Sequence, residues 1–303
     1  MQCQHKNIYI GPAGWSYTDW QGVVYPPKTP PSFYALDYLM QFFNTIEINS
    51  TFYRIPNPAS VIKWTKTAEQ QNDFLFSVKL WQKFTHERVL DNSSITAFKK
   101  ALLPMLEGQR LGVLLAQFPW SFKFSDASMV YLQKLAGQFT AFPLAIEFRH
   151  QNWQNERVFD FFKEHGIAFV NIDQPRLNAC LPPTERVTSD IGYIRLHGRN
   201  QQHWFNEKSG RNDRYNYLYS QEELAPWQQH LDRIAAAAQR TFVIFNNHFR
   251  GQAVVNAFEF QYMLEQKPLD IPAHLLQHFP HLEQIHSGDD GNDPPRQRSL
   301  DLF

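Results

Sequence analysis

Short apolar runs alternate along the chain with longer segments in which apolar positions recur every three or four residues, the pattern of repeated βα units and a mostly parallel sheet. The runs predict strands at 8–15, 45–52, 74–81, 111–118, 143–150, 167–173, 192–199 and 241–248. Helical spacing predicts helices at 34–43, 59–70, 95–106, 127–137, 157–165, 221–239 and 253–264. The gap between the sixth and seventh strands (QPRLNACLPPTER) is rich in Pro and Asn and carries no helical period. Eight strands with intervening helices predict a single α/β domain, a (β/α)8 TIM barrel, whose usual size is about 250 residues. The expected boundaries are a barrel over 1–266, with an irregular connection before its seventh strand, and a polar C-terminal extension over 267–303, partly mobile or draped on the surface. No Gly/Ser-rich or Pro-rich linker divides the chain. The long loops 16–33 and 200–220 both follow strand C-termini, the end where barrels build their sites.

Parallel barrel strands are covered on both faces and should read as continuous apolar runs. Several here are broken at alternate positions. In the second strand Ile46, Ile48 and Phe52 take the helix side, leaving Glu47, Asn49 and Thr51 for the interior. In the fifth, Leu144, Ile146 and Phe148 leave Glu147 and Arg149; in the seventh, Ile194 and Leu196 leave Tyr193, Arg195 and His197. The same phase assigns Ser77, Lys79, Gln117, Asn171 and Asp173 to the interior, with Asn246, Asn247 and His248 closing the last strand. Unpaired buried charge is costly, so these groups must either pair with one another or surround a polar ligand.

The ligand reading assigns roles. Glu147 and His197 form an acid/base pair, the imidazole because its ordinary pKa lies near neutrality. Glu47 is a second carboxylate. Lys79, Arg149 and Arg195 hold an anionic group, while Asn49, Gln117, Asn246 and Asn247 orient hydroxyls beside Asp173. The bland alternative is a set of internal ion pairs, Glu147 with Arg149 or Glu47 with Lys79. Trp15, Trp20, Trp81, Trp120, Trp153 and Trp204 all fall at or just after strand C-termini, where they either stack on a sugar or base or merely cap the barrel. His5, His86, His165 and the tail histidines are expected in solvent.

Composition narrows the classes. Hydrophobic residues make up 43% of the 303, enough for a large core, and 29 Lys and Arg balance 29 Asp and Glu. A neutral chain has no long-range pull on nucleic acid or anionic lipid, although Arg199, Lys208, Arg211 and Arg214 concentrate positive charge after the seventh strand. The N-terminus has no signal-peptide core and no run reaches the roughly 18 apolar residues of a membrane span, so a cytoplasmic protein is expected. Cys3 and Cys180 form neither a CxxC nor a disulfide framework. Glu47, Glu147, Asp173 and His197 offer four metal ligands, but the interleaved cations compete with a metal, and no metal or other cofactor is predicted. The Walker loop, GxSxG elbow and paired-histidine protease motif are all absent from the sequence.

The segments GPAGWSY, EINSTFYRIP, FSVKLW, LAQFPWSF, AIEFRHQNW, YIRLHGR, YNYLYS and FNNHF, in this order, resemble the DUF72 family of YecE-like proteins. That resemblance covers nearly the whole chain to Leu264 and implies a TIM barrel of uncharacterised activity, distantly related to sugar isomerases. It implies no catalytic roles. Tyr53 and Tyr217 stand in these motifs and join the candidate substrate-binding set. The expected function is an enzyme acting on a small polar, sugar-like and possibly phosphorylated substrate at the C-terminal rim. The alternatives are a non-catalytic binder of nucleotides or single-stranded nucleic acid, and a metal-dependent phosphodiesterase or nuclease.

Overall fold

In a computed structural model, which describes residues 7–204 and 210–288 and only the backbone at 211 and 212, eight parallel strands form one barrel. They are β1 (Ile8–Pro12), β2 (Thr45–Ile48), β3 (Leu75–Lys79), β4 (Leu111–Gln117), β5 (Leu144–Glu147), β6 (Ala168–Asp173), β7 (Ile191–Leu196) and β8 (Arg240–Phe245). Hydrogen-bonded neighbours run β1-β8-β7-β6-β5-β4-β3-β2. The remaining seam, β1 to β2, is closed by other means. Gly14 N donates to Glu47 O at 2.8 Å. Lower down, the Asn44 side chain accepts from Ile10 N at 2.8 Å and donates to Ile8 O at 2.7 Å. The strands approach so closely there that a Cβ on Gly11 would lie 1.9 Å from Thr45 O.

The main helices, Ala35–Met40, Pro58–Ala68, Asn92–Glu107, Asp126–Gln138, Glu156–Glu164, Gln221–Ala237 and Gln252–Glu265, sit where the 3.6-residue spacing predicts them. Side-chain caps start five of them: Asn57, Asp91, Ser125, Asn155 and, with Glu223 in a reciprocal capping box, Ser220. Each buries an apolar stripe. In Glu156–Glu164 the stripe is Val158, Phe159, Phe161 and Phe162, packed on Phe169 of β6.

No helix joins β6 to β7, as expected. The Asn171 side chain takes the helix's place: its Oδ1 accepts from Thr184 Oγ1 (2.7 Å) and Arg186 N (2.8 Å), and its Nδ2 donates to Arg186 O (2.9 Å). The extension after 266 is less polar in practice than its composition. Ile271, Leu275, Leu276, Leu282 and Ile285 are buried, and the segment 280–285 packs against the Gln252–Glu265 helix. The C-terminal motif HSGDDGNDPPRQRSLDLF lies outside the described residues from 289 onward.

Register decides which side chains share the lumen, because paired residues on adjacent strands face the same side. Glu47 pairs with Ser77, Gln117 with Glu147, Tyr193 with Phe242 and Arg195 with Ile244. All point inward. On β6 the phase is the reverse of the expectation: Val170 pairs with Tyr193 and Ile172 with Arg195, so those two fill the lumen. Asn171 and Asp173 pair with Ile194 and Leu196 and face the outer layer. The register shifts by one residue in β4 opposite Phe76 and Ser77, at Gly112, where a Cβ would come within 2.5 Å of the Phe242 ring. Phe242, stacked on Tyr9 at 4.9 Å between centroids, plugs the N-terminal end of the barrel.

Candidate active site

The polar interior has two storeys. The lower is centred on Arg195, fully buried on β7. Its Nη1 donates to Glu147 Oε2 at 2.5 Å and its Nη2 to Glu47 Oε1. Tyr193 OH donates to Glu47 Oε2 at 2.9 Å and stands 2.5 Å from Ser77 Oγ. Burial and the Glu47 charge raise the Tyr193 phenol well above its ordinary range, so it stays protonated and acts as a donor. Arg195 is held firmly in the cationic form by the two carboxylates. Removing the guanidinium would leave two buried carboxylates facing each other, a loss of the kind that costs about 3–5 kcal/mol.

Above it lies His197, also without solvent exposure. The Asn246 amide donates to His197 Nδ1 at 3.0 Å, which puts the ring proton on Nε2, 3.2 Å from Glu147 Oε1. Arg149 Nε lies 2.7 Å from the same oxygen. Desolvation and the Arg149 charge push the imidazole well below its ordinary pKa, so it is neutral. The guanidiniums of Arg149 and Arg195 hold Glu147 ionised, well below the usual carboxylate range, against the opposing effect of burial. Two carboxylates are thus matched by two guanidiniums.

Lys79 has no such match. Among the described residues its ammonium forms no ion pair, and its Nζ sits 4.2 Å from the centre of the Phe52 ring. Burial, reinforced by the Arg195 charge, lowers its pKa to about 7. It opens into a cavity of about 550 Å³ at the C-terminal rim, with Asn49, Tyr53, Gln117, Arg149 and Asn246 also on its walls. Phe52, His86, Pro119, Trp120, Trp204, Arg214, Tyr215 and His248 also line it, and among the described residues the walls carry three cationic side chains and no Asp or Glu.

The sequence-predicted residues therefore separate into three groups. Asn49, Tyr53, Lys79, Gln117, Arg149 and Asn246 meet at the cavity. Glu47, Glu147, Arg195 and His197 form the floor beneath it, with no side-chain exposure. The others lie elsewhere. Asp173 faces outward and accepts from Arg199 (2.6 Å), Trp227 Nε1 (2.7 Å) and Tyr219 OH (3.1 Å). Trp153 is buried in the outer layer, stacked on Phe148 at 3.9 Å with its indole N–H donating to Phe122 O at 2.6 Å. Trp15 packs edge-on against Trp64, and Tyr25 OH donates to its carbonyl. Tyr217 OH donates to Glu223 at 2.6 Å, and Asn247 clamps the Tyr217 carbonyl and Asn256 Oδ1, both at 2.8 Å.

Two further expectations are corrected. Phe52 lines the cavity instead of meeting the helices, because a 3-10 turn, Ser50–Phe52, ends the alternation after Ile48. His86 is a wall residue rather than a solvated one; burial and the Lys79 charge lower its pKa to about 4, and its ring meets Phe52 edge-on. Trp120 and Tyr215 come from turns, and Trp204 and Arg214 end the short helices Gln201–Trp204 and Arg211–Arg214, positions that no strand pattern encodes. Of the basic residues after β7, Arg199 is paired with Asp173 and Glu223, Lys208 lies outside the described residues, and so does the side chain of Arg211.

The four ligands weighed for a metal do not converge: Asp173 points away, and Arg195 bridges the other two carboxylates. Among the described residues no group of three or more His, Cys, Asp or Glu is arranged to hold a metal ion. No helix there is long and apolar enough to cross a membrane.

A closed parallel barrel with a desolvated charge lattice under a cationic cavity at its strand C-termini defines the class: a TIM-barrel protein with its polar site in the usual place for that fold. The chain belongs to the DUF72 family, described as "Protein of unknown function DUF72", whose family model matches residues 9–279. It is 33% identical over 273 residues to the UPF0759 protein YunF of Bacillus subtilis, covering 85% of this chain and 95% of that one. Among solved structures it resembles a DUF72 family protein from Thermotoga maritima, with a TM-score of 0.77 and 38% identity over 86% of this chain and 99% of that chain. A second, from Enterococcus faecalis, gives a TM-score of 0.76 at 25% identity, over 88% of this chain and 98% of that chain.

Proposed function

We propose that this protein is an enzyme acting on a small anionic, sugar-like substrate by acid/base chemistry in the rim cavity. The observation that carries the reading is the lining: among the described residues, Lys79 and Arg149 face the cavity and no carboxylate stands on its walls. Such a surface favours a phosphate or carboxylate, and the amides of Asn49, Gln117 and Asn246 beside Tyr53 suit hydroxyl groups. About 550 Å³ is the volume of an ordinary small-ligand site.

The proton-transferring group differs from the one expected. Glu147 is held ionised by its guanidiniums and His197 is held neutral, and both are buried within the floor. Lys79, with a pKa of about 7, is a group in the cavity that exists in both protonation states near neutrality. In this reading the neutral amine takes the proton from the carbon beside a substrate carbonyl and returns it, and Arg149 steadies the oxyanion that forms. The Glu47–Arg195–Glu147 lattice keeps those groups in place.

The reading is tested with a panel of phosphorylated and neutral aldoses and ketoses incubated with the protein in D2O. Wild-type protein should wash deuterium into the carbon beside the carbonyl of one phosphorylated sugar, followed by proton NMR, and Lys79→Met should slow this at least about 100-fold. Binding without exchange across the panel would make the protein a binder, and preference for neutral sugars would remove the anionic substrate.

A further inference from the structure

We propose that Lys79 is a covalent site: its amine condenses with the carbonyl carbon of an aldehyde or ketone ligand to form an imine. The proposal rests on the reading of the cavity as an anion-binding site; once the imine forms, the Lys79 nitrogen activates the adjacent carbon–hydrogen bond as an electron sink in place of taking the proton itself.

A lysine placed to anchor the protein's interior would be paired, because the barrel supplies two buried carboxylates within the same lumen. Both are taken. Glu47 and Glu147 are bridged by Arg195, and Glu147 also receives Arg149. What faces Lys79 instead is the Phe52 ring, 4.2 Å from Nζ. On the other side is the open cavity, into which the side chain projects from the C-terminal end of β3.

A lysine placed only to grip an anion is also poorly explained. Arg149 and Arg214 line the same cavity, and a guanidinium is the side chain suited to a fixed, forked grip on an anion. Gripping an anion calls for a charge that does not titrate. Nucleophilic attack calls for the opposite: a lone pair on a desolvated nitrogen, beside fixed cations that discourage its protonation. Lys79 meets that description, and its pKa of about 7 is the consequence of the same surroundings.

The chemistry balances without a redox partner. The nitrogen lone pair forms a bond to the carbonyl carbon, and the carbonyl oxygen becomes the hydroxyl of a carbinolamine. Nitrogen then expels that oxygen as water, with one proton delivered to it, leaving a C=N double bond. Arg149, which faces the cavity with only 8% of its surface exposed, supplies positive charge beside the developing oxyanion. A protonated imine is a far better electron sink than a ketone, so a carbon–hydrogen or carbon–carbon bond next to it is activated. The substrate class is therefore an anionic carbonyl compound, a keto or aldo acid or a sugar phosphate in its open form.

The test uses glyoxylate, a two-carbon aldehyde carrying a carboxylate, with sodium borohydride to convert any imine into a stable carboxymethyl-lysine. The full-length protein is treated at pH 7 with and without inorganic phosphate, and the modified positions are mapped by peptide mass spectrometry. Lys79 should be labelled roughly 100-fold faster than Lys63 or Lys83, given the larger fraction of neutral amine, and phosphate should protect it. Labelling at Lys79 no faster than at the other two, or unaffected by phosphate, overturns the proposal. Calorimetry with inorganic phosphate runs alongside. Phosphate binding without preferential labelling defeats only the imine, and absence of both defeats the anion-site reading as well. Lys79→Arg sharpens the distinction: it should lose the deuterium exchange of the wild-type protein, whereas a purely electrostatic role for Lys79 predicts that the exchange is kept.

Discussion

Lys79 shows how far a residue's chemistry is set by neighbours that are distant in sequence. The Glu147 and Glu47 charges favour its protonation, but the desolvation and the Arg195 and Arg149 charges outweigh them. Its folded pKa, about 7, lies below the unfolded value of 10.5. The unfolded chain therefore binds more protons between those values, and this group's penalty on stability is full below pH 7 and fades as pH rises toward 10.5. Lys79→Met removes the penalty. It should raise stability in urea by about 2 kcal/mol at pH 6 and by a steadily smaller amount up to pH 10. A stability gain that does not shrink with pH would show that the amine is not held in a cationic, desolvated setting.

At the level of elements, strand phase explains most of what was readable. On β5 and β7 the alternation is uninterrupted, and Glu147, Arg149, Arg195 and His197 face inward as their apolar neighbours demand. On β6 the alternation in AFVNID separates Asn171 and Asp173 from Val170 and Ile172, but with all six residues buried it does not mark which face is the lumen. The aliphatic Val170 and Ile172 fill the lumen, while Asn171 is drawn outward by the helix-less connection it organises. The β1–β2 seam depends on backbone proximity. Gly11→Ala, whose Cβ would meet Thr45 O, should destabilise by about 3 kcal/mol through overpacking. Gly137→Ala, on a helix with nothing within 4 Å of the new methyl, should be neutral or stabilise by less than about 1 kcal/mol. Chemical denaturation of the two variants decides the matter; equal effects would mean the seam tolerates separation.

Across the whole molecule, the segment after 266 belongs to the barrel's packing. Ile271, Leu275, Leu276, Leu282 and Ile285 are all buried, and the family match also runs beyond that point, to 279. Burial of five such side chains at about 1.5 kcal/mol or more each is a substantial share of a domain's net stability. A chain ended after Gln266 should melt at least about 10 °C lower than one ended after Gly288, measured by calorimetry. Matching melting temperatures would return the segment to a surface appendage.

The eight-stranded architecture, the helix positions and the inward phase of five strands followed from local rules, because periodicity and capping operate over a few residues and the barrel merely repeats them. Which side chains touch one another did not follow, since Arg195 meets Glu47 across 148 positions and Trp204 reaches Arg149 from a short helix after β7. The division of a single polar cluster into a locked floor and an open cavity came only from three-dimensional packing: two guanidiniums satisfy two carboxylates, and the amine left over faces the cavity at the C-terminal end of the barrel.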